Sequence, residues 1–191
     1  DERVQALKAA GLSQCGVSID DADPNAHDQV RGVAQAHADA VAGIKRLVRA
    51  GIPCQIQTCA ARRLIPEGLK QVIALGRQLR VMAVYLFFPV TVGRWEGAVD
   101  EVLTDAEKLA VRRLQDATFV HMELPTSDTT CCVYTHSVLY VSPDGDATLC
   151  PFVPYVLGNV RQYSLAELWR VHTAQPLPAA FGGGCPMNEP L

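Results

Sequence analysis

The sequence has 191 residues, 49% hydrophobic and 19% charged, which is enough apolar material for a packed core and excludes wholesale disorder. Its 17 Lys and Arg are scattered and outweighed by 20 Asp and Glu, for a net charge of −3, so neither a nucleic-acid partner nor a polybasic membrane patch is expected. The longest apolar run, residues 81–92, is too short for a bilayer and contains Pro89; with no basic-then-apolar leader, the seven cysteines are expected to stay reduced in the cytoplasm.

In chain order, residues 1–10 read as a helix closed at Gly11, where a left-handed C-cap is commonly needed. Residues 15–20 alternate as a strand, with Val17 and Ile19 on one side and Ser18 and Asp20 on the other. Val30, Val33, Ala34, His37, Val41, Ile44 and Val48 recur at helical spacing, predicting one helix that stops at Gly51 with Pro53 beyond. Residues 52–60 alternate again: Ile52, Cys54, Ile56 and Thr58 face one way, Gln55, Gln57 and Cys59 the other. Pro66 suits the first turn of a helix carrying Leu69, Val72, Ile73 and Leu79. Residues 81–88 are continuously apolar, as in a strand buried on both faces. Thr104 and Glu107 form a capping box that opens a helix to about Gln115.

The order α-β-α-β-α-β-α predicts an α/β fold with a parallel sheet or barrel and right-handed crossovers. Two of the three strands carry a polar side, which suits strands lining a barrel around a polar ligand; solvent exposure at strand ends is the other reading. The segment Gly93-Arg94-Trp95-Glu96-Gly97 is not a phosphate-binding loop, having too few glycines in the wrong order.

The composition shifts near 117–130, where a domain boundary is expected. Residues 137–141 and 147–150 flank Pro143-Asp144-Gly145, a hairpin turn sequence, and Ser164 with Glu167 forms a second capping box, for a helix to about Val171. Four cysteines fall here: Cys131, Cys132, Cys150 and Cys185, the last after the run Gly182–Gly184. The hairpin returns Cys150 toward Cys132. Neighbours in extended chain point to opposite sides, so one of Cys131 and Cys132 is expected to be a ligand, leaving three well-placed thiolates. The spacing lacks the paired C-x-x-C of structural zinc and suits an iron–sulfur centre, with buried thiols as the other reading. Cys15, Cys54 and Cys59 lie in predicted strands and read as small buried hydrophobes; His37 reads as a core or boundary histidine, and His121, His136 and His172 share no metal spacing.

Val17-Ser-Ile-Asp20, then His27-Asp28-x-x-Arg31-Gly32, then a helix ending in Gly51-Ile52 resembles the middle of a radical S-adenosylmethionine enzyme barrel. Cys132, twelve residues, Gly145, four residues and Cys150, followed by Leu157-Gly-Asn-Val160 and Ser164-Leu-Ala-Glu-Leu-Trp169, is similar to that superfamily's SPASM or twitch auxiliary-cluster extension. The resemblance implies the second half of a (β/α)6 barrel over 1–116 and a small α+β, cysteine-rich cluster domain over 117–191. The C-x-x-x-C-x-x-C loop that holds the superfamily's catalytic cluster is absent from the sequence, so a fragment, inactive alone, is expected.

By that resemblance the intact enzyme uses S-adenosylmethionine and a [4Fe–4S] cluster to make a 5′-deoxyadenosyl radical, which abstracts hydrogen from a peptide or cofactor precursor. Ser18 and Asp20 are then expected to contact the cofactor's ribose or amino group, and Arg31 its carboxylate. Turn capping for Asp20 and a solvated charge for Arg31 are the plainer readings. Gln55 and Gln57 would line the chamber, and the Gly93-Arg94 loop lies where barrel enzymes meet substrate, an ordinary surface loop being the other reading. Cys132, Cys150 and Cys185, with Cys131 as substitute for Cys132, would hold an auxiliary [4Fe–4S] cluster. A flavodoxin or ferredoxin would donate electrons. The alternative from another class is a non-catalytic zinc-binding or scaffold protein built on the same cysteines.

Overall fold

The alternation in residues 54–59 sets the architecture. In a computed structural model that describes residues 2–123, 138–175 and Met187, strand β2 (Cys54–Cys59) buries Cys54, Ile56 and Thr58 and leaves Gln55, Gln57 and Cys59 half-buried. It pairs in parallel with β1 (Cys15–Ser18) on one side and β3 (Ala83–Phe87) on the other; β4 (Val120–Glu123) adds a fourth parallel strand beside β3, for the order β1-β2-β3-β4. The register aligns Val17, Ile56, Val84 and Val120 on one face, with Thr58, Leu86 and Met122 in the next layer. That face carries the core: Ile56, Val84 and Leu86 have no exposed surface.

Helices cover the apolar face. Helix α3 (Ala36–Arg49) packs on β1 and β2, and α4 (Glu67–Leu79) on β2 and β3. Gly76 of α4 sits so close to the sheet that an added Cβ would lie 2.8 Å from Val84 Cγ2. Helix α1 (Glu2–Ala9) buries nothing, and its following Gly11 adopts the left-handed conformation expected of it, φ 90°. Helix α5 (Asp105–Arg112) begins at the predicted capping box: Thr104 Oγ1 accepts from the Glu107 amide, and Glu107 accepts in return from the Thr104 amide at 2.7 Å.

The structure corrects two expectations. The helix predicted through Val30 to Val48 is two helices, α2 (Pro24–Arg31) and α3. Gly32 ends α2 in the left-handed conformation, and Gln35 takes a positive φ of 66° before α3 starts, so Val30 and Val33 leave the core stripe and are exposed. β4, a short strand of mixed polarity, carries no strong periodicity and was not among the predicted strands.

The chain divides into two units, Asp1–Pro89 with Leu103–Glu123, and Val90–Val102 with Leu124–Leu191. In the second, the predicted hairpin is present: β5 (Tyr140–Val141) pairs antiparallel with β6 (Asp146–Thr148) around Gly145, whose φ of 91° places it in the left-handed region. β7 (Val156–Asn159), not predicted as a strand, pairs with β6 and completes a three-stranded sheet. Helix α6 (Leu165–Ala174) starts at the predicted Ser164 and Glu167 box and lays Leu168 onto Gly158 of β7. Thr91 Oγ1 donates to the carbonyl of Met187 within this unit. Among the described residues no helix is long and apolar enough to cross a membrane.

Candidate functional site

The turn from β1 into α2 gathers the polar residues of the sequence motif. Asp23 caps α2, accepting from the Ala26 amide at 2.8 Å, and Pro24 begins the helix without a donor to satisfy. His27 and Arg31 lie one turn apart on α2, hence on one side of it. Both reach Asp20. The Arg31 guanidinium pairs with the Asp20 carboxylate at 2.6 Å, and His27 Nδ1 accepts the Asp20 backbone N–H at 3.0 Å. Arg63, after β2, donates to the Asp20 carbonyl at 3.4 Å. Asp28 serves the next helix: its two carboxylate oxygens accept the Gln35 and His37 amides at 2.6 and 2.8 Å. The bond from His37 is the main reason its carboxyl is held below the usual range. Each polar residue of the His27-Asp28-x-x-Arg31 motif thus has its own structural task.

His27 is 1% exposed and meets the His37 ring edge-on, with centroids 5.5 Å apart. Burial pushes the His27 imidazole below its ordinary pKa; the Asp20 charge opposes this, while Arg31 and His37 reinforce it.

The sheet face opposite the core is a set of half-buried polar rows. Register aligns Ser18, Gln57, Tyr85 and His121 across the four strands, with Gly16 beside Gln55 one layer below. Strands lie about 4.8 Å apart, so the four-residue row spans roughly 14 Å. Tyr85 and His121 stack obliquely at 5.1 Å, and Gln14 donates to Gln55 Oε1 at 2.6 Å. The Gln57 amide lies over Gly16, where a Cβ would come within 2.8 Å of Gln57 Nε2. The structure therefore brings together Ser18, Gln55 and Gln57 on one face and Asp20 with Arg31 at the end of β1. Tyr85, His121 and Arg63 were missed from sequence. Tyr85 is the one hydroxyl-bearing residue in the apolar run 81–88, a signal that was available; His121 sits on the strand that was not predicted.

Of the proposed cluster ligands, Cys131, Cys132 and Cys185 lie outside the described residues. Cys150 lies within them, follows β6, and is 4% exposed. Its carbonyl accepts from Thr148 Oγ1 at 2.9 Å, and its sulfur accepts the Val153 N–H at 3.3 Å. A buried sulfur that receives an amide N–H fits a cluster thiolate, because such bonds stabilise negative charge on sulfur. Cys54 is the opposite case: burial raises its thiol to about 11, so it stays protonated and packs as a hydrophobe. Cys15 and Cys59 are half-buried. Among the described residues, no three of His, Cys, Asp and Glu are grouped to hold a metal ion.

Residues 131–182 match the model of the SPASM iron–sulfur cluster-binding domain, a span that takes in Cys131, Cys132 and Cys150. The chain is 26% identical over 197 residues to the AdoMet-dependent heme synthase of Methanosarcina barkeri, covering 88% of this chain and 56% of that protein. It is 28% identical over 200 residues to the enzyme of the same name from Nitratidesulfovibrio vulgaris, covering 88% and 54%. It thus spans about half the length of these curated relatives. The fold resembles the crystal structure of Streptococcus suis SuiB bound to the precursor peptide SuiA, with a TM-score of 0.59 at 11% identity over 90% of this chain and 44% of that one. A second SuiB structure matches with a TM-score of 0.53 at 12% identity, over 88% and 45%.

Proposed function

We propose that the chain belongs with the radical S-adenosylmethionine proteins that carry a SPASM-type cluster domain, and that it forms the second half of such an enzyme's barrel together with the auxiliary cluster domain. The match of residues 131–182 to the cluster-binding domain is the observation that carries the reading. In this family the cofactors supply one-electron reductive cleavage of S-adenosylmethionine and hydrogen abstraction from substrate.

The chain's own residues bind and orient. Ser18 and the Asp20 carboxylate stand at the C-terminal end of β1, the end at which parallel α/β folds place their ligands, and offer acceptors to ribose hydroxyls or an ammonium group. Arg31 is held by Asp20 through Nε, which leaves its terminal nitrogens to take a carboxylate. Gln55 and Gln57 extend this polar face toward Tyr85 and His121. Cys132, Cys150 and Cys185, with Cys131 as substitute for Cys132, would hold the auxiliary [4Fe–4S] cluster, and Cys150 is preset for it by its burial and its Val153 N–H. The substrate is read as a peptide or cofactor precursor. Two observations favour that pair of classes: the relatives are named for heme synthesis, and the structural neighbour is bound to a precursor peptide. A flavodoxin or ferredoxin in the cytoplasm would serve as reductant.

Anaerobic iron–sulfide reconstitution of the chain, compared with Cys150→Ala, tests the reading. Visible charge-transfer absorption with iron and acid-labile sulfide bound, lost in the variant, is expected. Stoichiometric zinc with no sulfide, or iron binding unchanged in the variant, would overturn it.

A further inference from the structure

Asp20 is held by two side chains of α2, and they act on different atoms. Arg31 grips the carboxylate; His27 grips the peptide N–H. An imidazole that accepts through Nδ1 carries no proton there, so its one N–H is on Nε2. An imidazolium is a donor at both nitrogens and cannot accept the Asp20 amide at all. The charged and titratable groups facing His27 are Asp20, Arg31, His37 and Asp28, and both carboxylates already serve other partners. Asp28 spends both oxygens on the Gln35 and His37 amides, and Asp20 is paired with Arg31. His37 is itself buried, and its Nε2 lacks a hydrogen-bond partner among the described residues. The corner is built for a neutral His27.

We propose that His27 is the positioning residue of this corner: as a neutral Nδ1 acceptor it fixes the Asp20 peptide, and so sets the direction in which the Asp20 carboxylate and the Arg31 guanidinium meet a bound ligand. This rests on the reading of Asp20 and Arg31 as cofactor contacts. His27 touches no ligand and acts only through Asp20. Protonation breaks the bond, leaves the Asp20 N–H without its acceptor, and turns the β1–α2 link loose at the end of the polar row. The site is then ligand-competent only with the proton off His27, so ligand affinity falls as pH drops through the His27 midpoint, which lies below 6.5.

The test uses the 191-residue chain with nitrogen-15 labelling, S-adenosylmethionine as the probe, and two variants. His27→Phe keeps a buried ring and removes the acceptor. His27→Asn keeps an acceptor oxygen close to the place of Nδ1 and cannot titrate. The Asp20 amide resonance should move with pH in the wild type, with the midpoint of the His27 ring signals, and stay flat in His27→Asn. Affinity for S-adenosylmethionine should fall roughly tenfold in His27→Phe, and less than about threefold in His27→Asn, which should also lose the wild type's pH dependence. An Asp20 amide that ignores the His27 titration, or His27→Phe binding as the wild type does, overturns the proposal. Amide coupling without any saturable binding by the wild type overturns instead the assignment of this corner to the cofactor, and His27's hold on Asp20 stands.

Discussion

The two units use different means to hold themselves together. In the first, a four-stranded parallel sheet buries most of one face under helices: Ile19, Ile44, Ile56, Leu69, Val72, Val84, Leu86 and Val111 are all without exposed surface. In the second, three short strands and α6 bury Ala147, Cys150 and Leu168, while Tyr155, Val156, Tyr163, Leu165 and Trp169 stay exposed among the described residues. At about 25 cal/mol per Å² of apolar surface removed from water, the described residues of the first unit gain more from burial than those of the second. Small domains with thin cores are commonly completed by a metal centre, whose binding energy becomes folding energy. The contrast therefore agrees with a cluster-binding role for the second unit, argued from burial rather than from sequence.

Removing the metal would break the comparison most decisively. Both tryptophans, Trp95 and Trp169, belong to the second unit, so their fluorescence reports on it alone, whereas far-ultraviolet circular dichroism reports on both. Iron chelation or Cys150→Ser is expected to shift the tryptophan emission as the second unit loosens and to leave most of the dichroism in place. Loss of both signals together would mean that the sheet unit does not stand alone. The reciprocal change is Leu69→Ala, which empties a fully buried site between α4 and the sheet. It should cost about 2–5 kcal/mol in the dichroism-monitored transition and leave the tryptophan transition near its original midpoint.

A weaker lever is pH. The folded-state pKa of His27 is depressed, chiefly by burial, so its contribution to stability is fully present above its ordinary value of 6.5 and is lost as pH falls toward the folded-state value. The denaturation midpoint of the sheet unit should be flat above about pH 6.5 and decline below it, and His27→Asn should remove that part of the decline. Smallest of all, Thr104→Ala and Ser164→Ala delete chemically matched caps, one in each unit. Each should cost about 1 kcal/mol, read by dichroism for the first and by tryptophan emission for the second.

What was legible in the sequence is what local rules govern. Both capping boxes, the hairpin around Gly145 and the alternation of β2 follow from a few neighbouring residues, and all appear as expected. Ser18, Gln55 and Gln57 were legible because strand periodicity sends them to the side away from the core. The misses share a cause. The split between α2 and α3 depends on Asp28 reaching forward to the Gln35 and His37 amides, a contact no helical periodicity reveals. β4 is a strand because β3 offers it an edge, which is tertiary context overriding weak local preference, and His121 was lost with it. Asp20 and Arg31 were each named from the sequence, whereas their pairing with one another required the turn geometry.

The close fit of Gln57 over Gly16 carries an evolutionary consequence. Two positions 41 residues apart in sequence share one small volume, since any side chain at position 16 would displace the amide of Gln57. They are then free to vary only as a pair. Among homologous chains, a side chain at position 16 should travel with a shorter residue at position 57, a covariation that marks the first two strands as neighbours even where neither residue is retained.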